Sequence, residues 1–209
     1  MQHKFGLIWM SAGNSYFTEA IVLELLKFAS KSFQEIIIMA PDEPAEHTFL
    51  ALGYDEKKAK KKARLNANLL QNRAKRAVDI LIKEKIKTPF HVVEWTEEIT
   101  PNKKYQEMLV RIKELYNNNI HFHKDARETT MKVIDSKLKN GMDKEKATDE
   151  AVNYLLKELS FILASPEIYN ASHVTYMYHH KWSIFQKLIA GEYDNKPRTN
   201  LSFLLSKTE

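Results

Sequence analysis

The chain has 209 residues and no cysteine, which excludes disulfides, thiolate metal sites and a cysteine nucleophile. Hydrophobic residues make up 44% and charged residues 28%, as in globular proteins, and 5 glycines with 6 prolines exclude a collagen-like or linker-rich chain. No apolar run is long enough to span a membrane, and the first residues lack the pattern of a secretory signal. We therefore expect one cytoplasmic domain over residues 1–209.

Predicted strands and helices alternate along the chain. Apolar runs predict strands at residues 5–10, 35–40, 91–95 and 174–178. Helical periodicity covers residues 16–28, 54–87, 101–115, 124–138, 144–163 and 182–189. Between them, residues 41–44 are predicted as a loop, residues 164–166 as the end of a helix, and the stretch after Gly191 as irregular. This alternation predicts an α/β fold with a mostly parallel sheet flanked by helices.

Positive charge is concentrated in the predicted helix at residues 54–87, which holds twelve basic and four acidic residues, whereas the whole chain carries a net charge of +5. One side of this helix is an apolar stripe, formed by Ala59, Ala63, Ala67, Leu70, Ala74, Ala77 and Leu81. Away from the stripe lies a basic ridge, formed by Lys57, Lys58, Lys61, Lys62, Arg64, Arg73, Lys75 and Arg76. Such a ridge can position a nucleic-acid backbone without reading its sequence. The alternative is a solvated helix face.

Ser11 directly follows the first predicted strand, where the chain turns into a helix. Because ligands of open α/β sheets bind at the carboxyl ends of strands, and helix N-terminal amides there can stabilise an oxyanion, Ser11 is a candidate nucleophile. The alternative is a helix-capping serine. The segment is not the G-x-S-x-G elbow of hydrolases, and it lacks the glycines of a phosphate loop or dinucleotide fingerprint.

Two later features also suggest a site. Glu158 lies on the apolar stripe of its predicted helix, four residues after Tyr154, and a carboxylate on such a stripe needs a partner. That partner is a Lys or Arg of the chain, water at the edge of the stripe, or the ammonium group of a substrate. His179 and His180 follow Tyr178 at the end of the last predicted strand. We predict no metal there, because adjacent strand residues face opposite sides and no further ligand spacing is present.

These features together resemble the cyclodipeptide synthase family. Residues 11–17, SAGNSYF, match the family's S-x-x-N-S-Y-F stretch. Tyr154 and Glu158 match its tyrosine and glutamate four residues apart, and Tyr178 and His179 match the Tyr-His pair that follows. The resemblance extends from the first strand to the terminal helix. It is similar to the subfamily named for Asn, Tyr and His rather than to the one with proline after the tyrosine.

The resemblance implies a Rossmann-like fold similar to the catalytic domain of class Ic aminoacyl-tRNA synthetases. It also implies an enzyme that joins two aminoacyl-tRNAs into a cyclic dipeptide, a diketopiperazine, with no cofactor and no metal. The implied mechanism is ping-pong: an aminoacyl ester forms on Ser11, a second aminoacyl-tRNA extends it to a dipeptide, and the dipeptide cyclises. The acceptor stem of tRNA would bind the basic ridge, and we expect a monomer or weak dimer.

The resemblance also implies residue roles. Ser11 is the nucleophile, Asn14 helps to hold the substrate and oxyanion, Tyr154 and Glu158 bind the α-ammonium group, Tyr178 relays a proton and His179 orients the tyrosine or its loop. The first aminoacyl side chain would contact Leu7, Trp9, Phe161 and Tyr176. The chain departs from the family at Trp9, where glycine is usual, and at Ser160, where proline is usual. These departures bear on substrate preference rather than on the catalytic groups.

Two other functions fit the same residues. A serine hydrolase could use Ser11 with His179 as its base and act on a small ester. A non-catalytic tRNA-binding module related to synthetases would need the basic ridge alone. We favour the synthase because a binding module has no need for Ser11, Glu158 and Tyr178 together.

Overall fold

The computed structural model describes residues 4–206. Its centre is a parallel five-stranded sheet with the strand order β3-β2-β1-β4-β5. The strands are β1 (Lys4–Trp9), β2 (Glu35–Met39), β3 (Phe90–Val93), β4 (His173–Tyr178) and β5 (Leu201–Leu205). This order is the Rossmann arrangement: successive strands are added on one side of β1 up to β3 and then on its other side from β4, and a crevice opens between β1 and β4 where the strand order reverses. The predicted α/β fold is therefore confirmed.

Helices cover both faces of the sheet. They are α1 (Glu19–Ser30), α2 (Glu43–Ala51), α3 (Glu56–Lys83), α4 (Lys103–Asn118), α5 (Ile120–Ile134), α6 (Lys144–Ile168) and α7 (Ser183–Ala190). A π-helical turn, Trp95–Ile99, precedes α4, and a short 3-10 turn, Asp135–Lys137, follows α5. Within the described residues, none of these helices combines the length and apolarity needed to cross a bilayer.

The sheet divides the apolar core into two layers. Because successive strand residues face opposite sides, Leu7 and Trp9 of β1 pack into the layer beneath α6, whereas Ile8 and Met10 pack into the layer beneath α1 and α3. The predicted apolar stripe of α3 is buried along its whole length, from Ala59 to Leu81. The two layers fix both neighbours of β1, and thus the position of the residues that follow it.

The predicted loop at residues 41–44 is wrong, because α2 begins inside it. Asp42 caps the helix by accepting from Glu43 N at 2.8 Å, and Pro44 occupies the first turn, where its missing N–H costs nothing. The third strand is also shorter than predicted, since it ends at Val93 and Trp95 begins the π-helical turn. Asp, Glu and Pro in this order can start a helix, but Asp and Pro are also typical of turns. The sequence alone therefore did not distinguish the two.

The predicted helix end at residues 164–166 is wrong as well. Pro166 cannot donate to the Ile162 carbonyl four residues earlier, but the Ser165 hydroxyl donates to that carbonyl at 2.7 Å. The lost hydrogen bond is thereby replaced, and α6 continues to Ile168.

The stretch after Gly191 is not irregular throughout, because β5 lies within it and pairs with β4 from Val174↔Leu201 to Tyr178↔Leu205. Gly191 ends α7 with φ +80°, and a Cβ atom there would lie 2.6 Å from Pro197 N. The segment leading to β5 therefore folds back directly over this glycine.

Gly191→Ala should destabilise the chain more than Gly141→Ala. The φ angle is +80° at Gly191 and +86° at Gly141, so either substitution places an alanine in the left-handed region, at a cost of about 1–2 kcal/mol. Only at Gly191 does the new methyl group overlap the backbone, because nothing lies within 4 Å of it at Gly141. We expect an additional cost of about 1–3 kcal/mol at Gly191. Urea unfolding of both variants measures the difference, and equal costs would contradict the close packing.

Candidate active site

The carboxyl ends of β1 and β4 bring the predicted site residues together. Parallel pairing sets Leu7 beside Tyr176 and Ile8 beside Met177, so the residues after these strands meet at one edge of the sheet. Ser11 Oγ lies 3.1 Å from Tyr178 OH, and Ser11 also interacts with the phenol of Tyr154. The serine is half-buried. Residues 167 positions apart in sequence therefore form one hydrogen-bonded pair.

Helix α6 supplies the acidic side of this site. Tyr154 OH accepts from the indole N–H of Trp9 at 3.1 Å, and Glu158 Oε1 accepts from Tyr176 OH at 3.1 Å. Since Tyr154 and Glu158 are four residues apart, they share the helix face that packs against the strand ends. The partner of Glu158 within the chain is thus a phenol, and the predicted alternative of a Lys or Arg partner is not what the contacts show.

Glu158 is a carboxyl group held away from water, with 6% of its surface exposed. Burial raises the pKa of Glu158 to about 8, and the hydrogen bond from Tyr176 offsets this only in part. Burial, together with the nearby Glu158, also raises the pKa of Tyr178 to about 12, so this phenol keeps its proton at neutral pH. The site therefore combines a carboxyl group that titrates near neutral pH with a protonated phenol beside the serine.

The loop after Ser11 is tied to the residue that follows Tyr178. Asn14 Oδ1 accepts from Tyr16 N at 3.0 Å, and Asn14 Nδ2 lies 3.3 Å from His179 Nε2. The His179 ring stacks on the ring of Tyr16, with the ring centres 4.0 Å apart and the planes 9° from parallel. Burial and the adjacent His180 lower the pKa of His179 to about 4, so the ring is neutral and a weak base. His179 thus holds the Ser11 loop against β4.

This geometry does not favour the hydrolase interpretation. In the described contacts Ser11 Oγ is bonded to Tyr178, whereas His179 Nε2 is bonded to Asn14. A general base must reach the proton that it removes, and a ring with so low a pKa removes protons poorly at neutral pH.

Among residues 4–206 there is no cluster of His, Cys, Asp and Glu side chains that could hold a metal ion.

The four residues predicted to contact the first aminoacyl side chain are fully buried in one apolar cluster: Leu7, Trp9, Phe161 and Tyr176. Two aromatic neighbours extend this group and were not predicted. Trp95 packs edge-on against Trp9, with the ring centres 5.7 Å apart, and the ring centres of Trp182 and Tyr176 are 5.3 Å apart. The sequence marks both as rare large residues next to predicted strand ends, but no spacing rule links them to Ser11.

Helix α3 lies along the Ser11 loop. Asn66 Oδ1 is 3.8 Å from the position that a Cβ atom would take at Gly13, Arg73 Nη1 donates to Phe17 O at 2.7 Å, and Arg76 pairs with Glu19. These contacts place the basic ridge beside the predicted nucleophile.

The members of the ridge differ in their freedom. Arg73 is half-buried and engaged by the Phe17 carbonyl, so its contact is structural. Lys58 and Lys75 pair with carboxylates, and Lys62 lies 4.8 Å from the centre of the Tyr54 ring. Three exposed members of the ridge have no ion-pair partner within residues 4–206: Lys57, Lys61 and Arg64.

Comparisons with known proteins agree on one family. The sequence model of the family described as cyclodipeptide synthase matches residues 2–207. The cyclo(L-leucyl-L-leucyl) synthase of Photorhabdus laumondii is 26% identical over 195 residues, which are 90% of this chain and 81% of that protein. A cyclodipeptide synthase structure from Bacillus thermoamylovorans superposes with a TM-score of 0.84 at 21% identity, covering 99% of this chain and 89% of the other. A structure of the cyclodipeptide synthase from Candidatus Glomeribacter gigasporarum bound to Phe-tRNAPhe gives a TM-score of 0.64 at 13% identity, covering 99% and 89%.

Glu158→Gln should change how the stability of the folded chain depends on pH. Because the folded-state pKa of about 8 lies above the unfolded value of 4.5, the folded chain binds more protons between these pH values, and wild-type stability falls as pH rises from about 4.5 to 8. The variant lacks this loss, so its stability relative to wild type should rise across that range. Urea unfolding at pH 5, 7 and 9 measures the difference.

Glu114→Gln is the matched control, since it neutralises an exposed carboxylate on α4. We expect it to leave the pH dependence of unfolding as in wild type. A Glu158→Gln difference that stays constant from pH 5 to 9 would show that the carboxyl is not held protonated by burial.

Proposed function

The chain belongs to the cyclodipeptide synthase family, and we propose that it joins two aminoacyl groups from tRNA into a diketopiperazine through an aminoacyl ester on Ser11. The observation that carries this mechanism is the 3.1 Å contact between Ser11 Oγ and Tyr178 OH, beside a buried carboxyl group. A hydroxyl nucleophile, a proton carrier and a site for an ammonium group are thus present within one small region.

Acylation is the first step. Ser11 Oγ attacks the ester carbonyl of the first aminoacyl-tRNA, and the bond from that carbonyl to the ribose oxygen breaks. Tyr178 takes the serine proton as it passes its own phenol proton to the departing ribose oxygen, so the phenol is neutral before and after the step. Its pKa of about 12 suits this relay, because the phenol neither ionises on its own nor holds an extra proton.

Glu158 both binds and deprotonates the amine of the acyl group. An incoming α-ammonium forms a charge-assisted hydrogen bond to the carboxylate, typically worth about 1.5–3 kcal/mol. The pKa of Glu158, about 8, is close to the value of about 7.7 typical of an α-amine, so a proton shared between them moves with little cost. Glu158 can therefore release a neutral amine on the acyl-serine.

Peptide-bond formation and cyclisation complete the reaction. The amine of the acyl-serine attacks the ester carbonyl of the second aminoacyl-tRNA, and the bond from that carbonyl to the ribose oxygen breaks. The proton lost by the amine nitrogen is transferred to the departing ribose oxygen, which releases that tRNA and leaves a dipeptide esterified to Ser11. The free amine of the dipeptide then attacks the serine ester carbonyl and the bond to Ser11 Oγ breaks. Tyr178 passes its phenol proton to the departing Ser11 oxygen and takes the proton that the amine nitrogen loses, so the phenol is again neutral after the step. Both reacting esters arrive already activated, so no nucleotide is consumed.

The second aminoacyl-tRNA has an open approach from the Asn14 side of the site. Asn14 is half-buried and His180 is exposed, whereas the Glu158 side is closed by fully buried residues. Lys57, Lys61 and Arg64 are exposed on the adjacent helix and have no ion-pair partner among residues 4–206, so they can contact phosphates of the acceptor stem. The tRNA-bound relative supports such a partner, and the position of α3 along the Ser11 loop supports this docking side.

Ser11→Ala should abolish the aminoacyl adduct of the protein. Wild-type protein incubated with charged tRNA should gain the mass of one aminoacyl group, because the ester forms on the Ser11 hydroxyl. Ser15→Ala is the matched control, since Ser15 is an exposed serine of the same loop, and it should keep the adduct. Intact-protein mass spectrometry measures both, and an adduct that survives in Ser11→Ala would assign the nucleophile elsewhere.

Replacing Lys57, Lys61 and Arg64 together by glutamine should weaken tRNA binding and flatten its salt dependence. Each lost phosphate contact reduces the slope of log affinity against log salt by about 1. The control replaces Lys31, Lys83 and Lys87, which are exposed cations near the amino-terminal edge of the sheet, and it should keep the wild-type slope. Binding titrations from 50 to 200 mM salt measure the slopes. Equal slopes for the two triple variants would show that the ridge is a solvated helix face that does not contact tRNA.

A further inference from the structure

The wall of the site next to Ser11 is filled by aromatic rings that hold one another in place. Trp9 lies two residues before Ser11 and is 0% exposed. The centre of its indole ring lies 5.7 Å from that of Trp95, with the ring planes 85° apart, and 6.0 Å from that of Phe161. Trp95 and Phe161 in turn contact each other at 5.4 Å. The three rings form one cluster, connected to Ser11 through the contact of Trp9 with Tyr154, and we call this cluster the indole wall.

Hydrogen bonds fix both indoles of this wall. Trp9 Nε1 donates to Tyr154 OH at 3.1 Å, and Trp95 Nε1 donates to Glu43 Oε2 at 3.1 Å. The other oxygen of Glu43 pairs with Lys157, whose side chain is only 14% exposed. Turning either indole away would leave a buried N–H without its partner and separate packed rings, so the wall resists opening for a ligand.

The wall limits the side chain that the first aminoacyl group can carry. In the proposed function an acyl group on Ser11 places its α-ammonium at Glu158, at a typical charge-assisted distance of about 2.8 Å. Tyr154 links the two anchors, since its phenol interacts with Ser11 and lies near Glu158, and the Trp9 indole donates to that phenol. The Cα of the acyl group therefore lies next to Tyr154 and the Trp9 ring. A branched or aromatic side chain at this Cα would compete with the Trp9 ring for the same volume.

We infer that Trp9, held by Tyr154 and by the indole wall, restricts the first substrate to aminoacyl groups with small side chains, such as glycine, alanine or serine. This inference rests on the proposed acyl-serine function and adds its substrate class. It separates the chain from the relative that joins two leucines. Trp9 is in this sense a specificity-determining residue rather than a catalytic one.

The test measures acylation of Ser11 from one tRNA sequence charged in turn with alanine, leucine and phenylalanine, so that only the side chain varies. Intact-protein mass spectrometry with rapid quenching gives each rate. For wild-type protein we expect acylation from the alanyl form to be at least ~10-fold faster than from the leucyl or phenylalanyl form, since a few excess carbon atoms already give that discrimination in a closed pocket. Equal rates for the three forms would overturn the inference and leave the acyl-serine function standing. No adduct from any charged tRNA would remove the proposed function itself.

Variants then assign the restriction to Trp9. Trp9→Leu and Trp9→Ala remove the indole, and we expect the leucyl rate to rise at least ~10-fold relative to the alanyl rate in whichever variant folds. Phe122→Leu is the control for core truncation, because Phe122 is fully buried on α5 against Tyr193, and it should keep the wild-type ratio. A ratio that is unchanged by loss of the Trp9 ring, or that shifts equally in Phe122→Leu, would contradict the assignment.

Discussion

The parallel pairing of β1 with β4 is the constraint on which the site depends. These strands are neighbours in the sheet but are separated in the chain by most of its length, and their register sets Leu7 beside Tyr176. Because both strands end at the same edge, Ser11 and Tyr178 emerge within 3.1 Å of each other. Two apolar layers, one on each face, hold this pairing in place. A slip of two residues in the register would keep every strand residue on its face and still separate the serine from the phenol.

A buried carboxyl group surrounded by phenols gives the site its chemistry. Glu158 accepts from Tyr176, raises the pKa of Tyr154 together with burial, and lies on the same helix face as Tyr154. A lysine or arginine partner would have kept this carboxylate charged and occupied. With a phenol as its hydrogen-bond donor, the carboxyl group fits the role that we propose for it, which is to receive a substrate ammonium group and to exchange a proton with it. In the proposed function, binding of the substrate ammonium group offsets the energetic cost of burying Glu158.

The sequence predicted the parts of the fold and site that follow from periodicity and motif order. Strand and helix alternation predicted the α/β class, and the ordered set of Ser11, Tyr154, Glu158 and Tyr178 named residues that the structure brings together. Helix α2 and strand β5 were missed, because Asp42 and Pro44 also suggest a turn and because β5 shows little periodicity. The continuation of α6 past Pro166 depends on a single hydroxyl, Ser165, that stands in for an N–H. The roles of Trp95 and Tyr16 depend on ring contacts between distant segments, which spacing cannot reveal.

In the proposed function, these converged groups turn two aminoacyl esters into one cyclic product. The most direct measurement is chromatography with mass spectrometry of the small molecules formed when the purified chain is incubated with a pool of aminoacyl-tRNAs. We expect diketopiperazines that disappear when the tRNA is destroyed by ribonuclease beforehand or when Tyr178 is replaced by phenylalanine, which removes the proton carrier. Free amino acids as the sole products, or cyclic products formed without intact tRNA, would contradict the account.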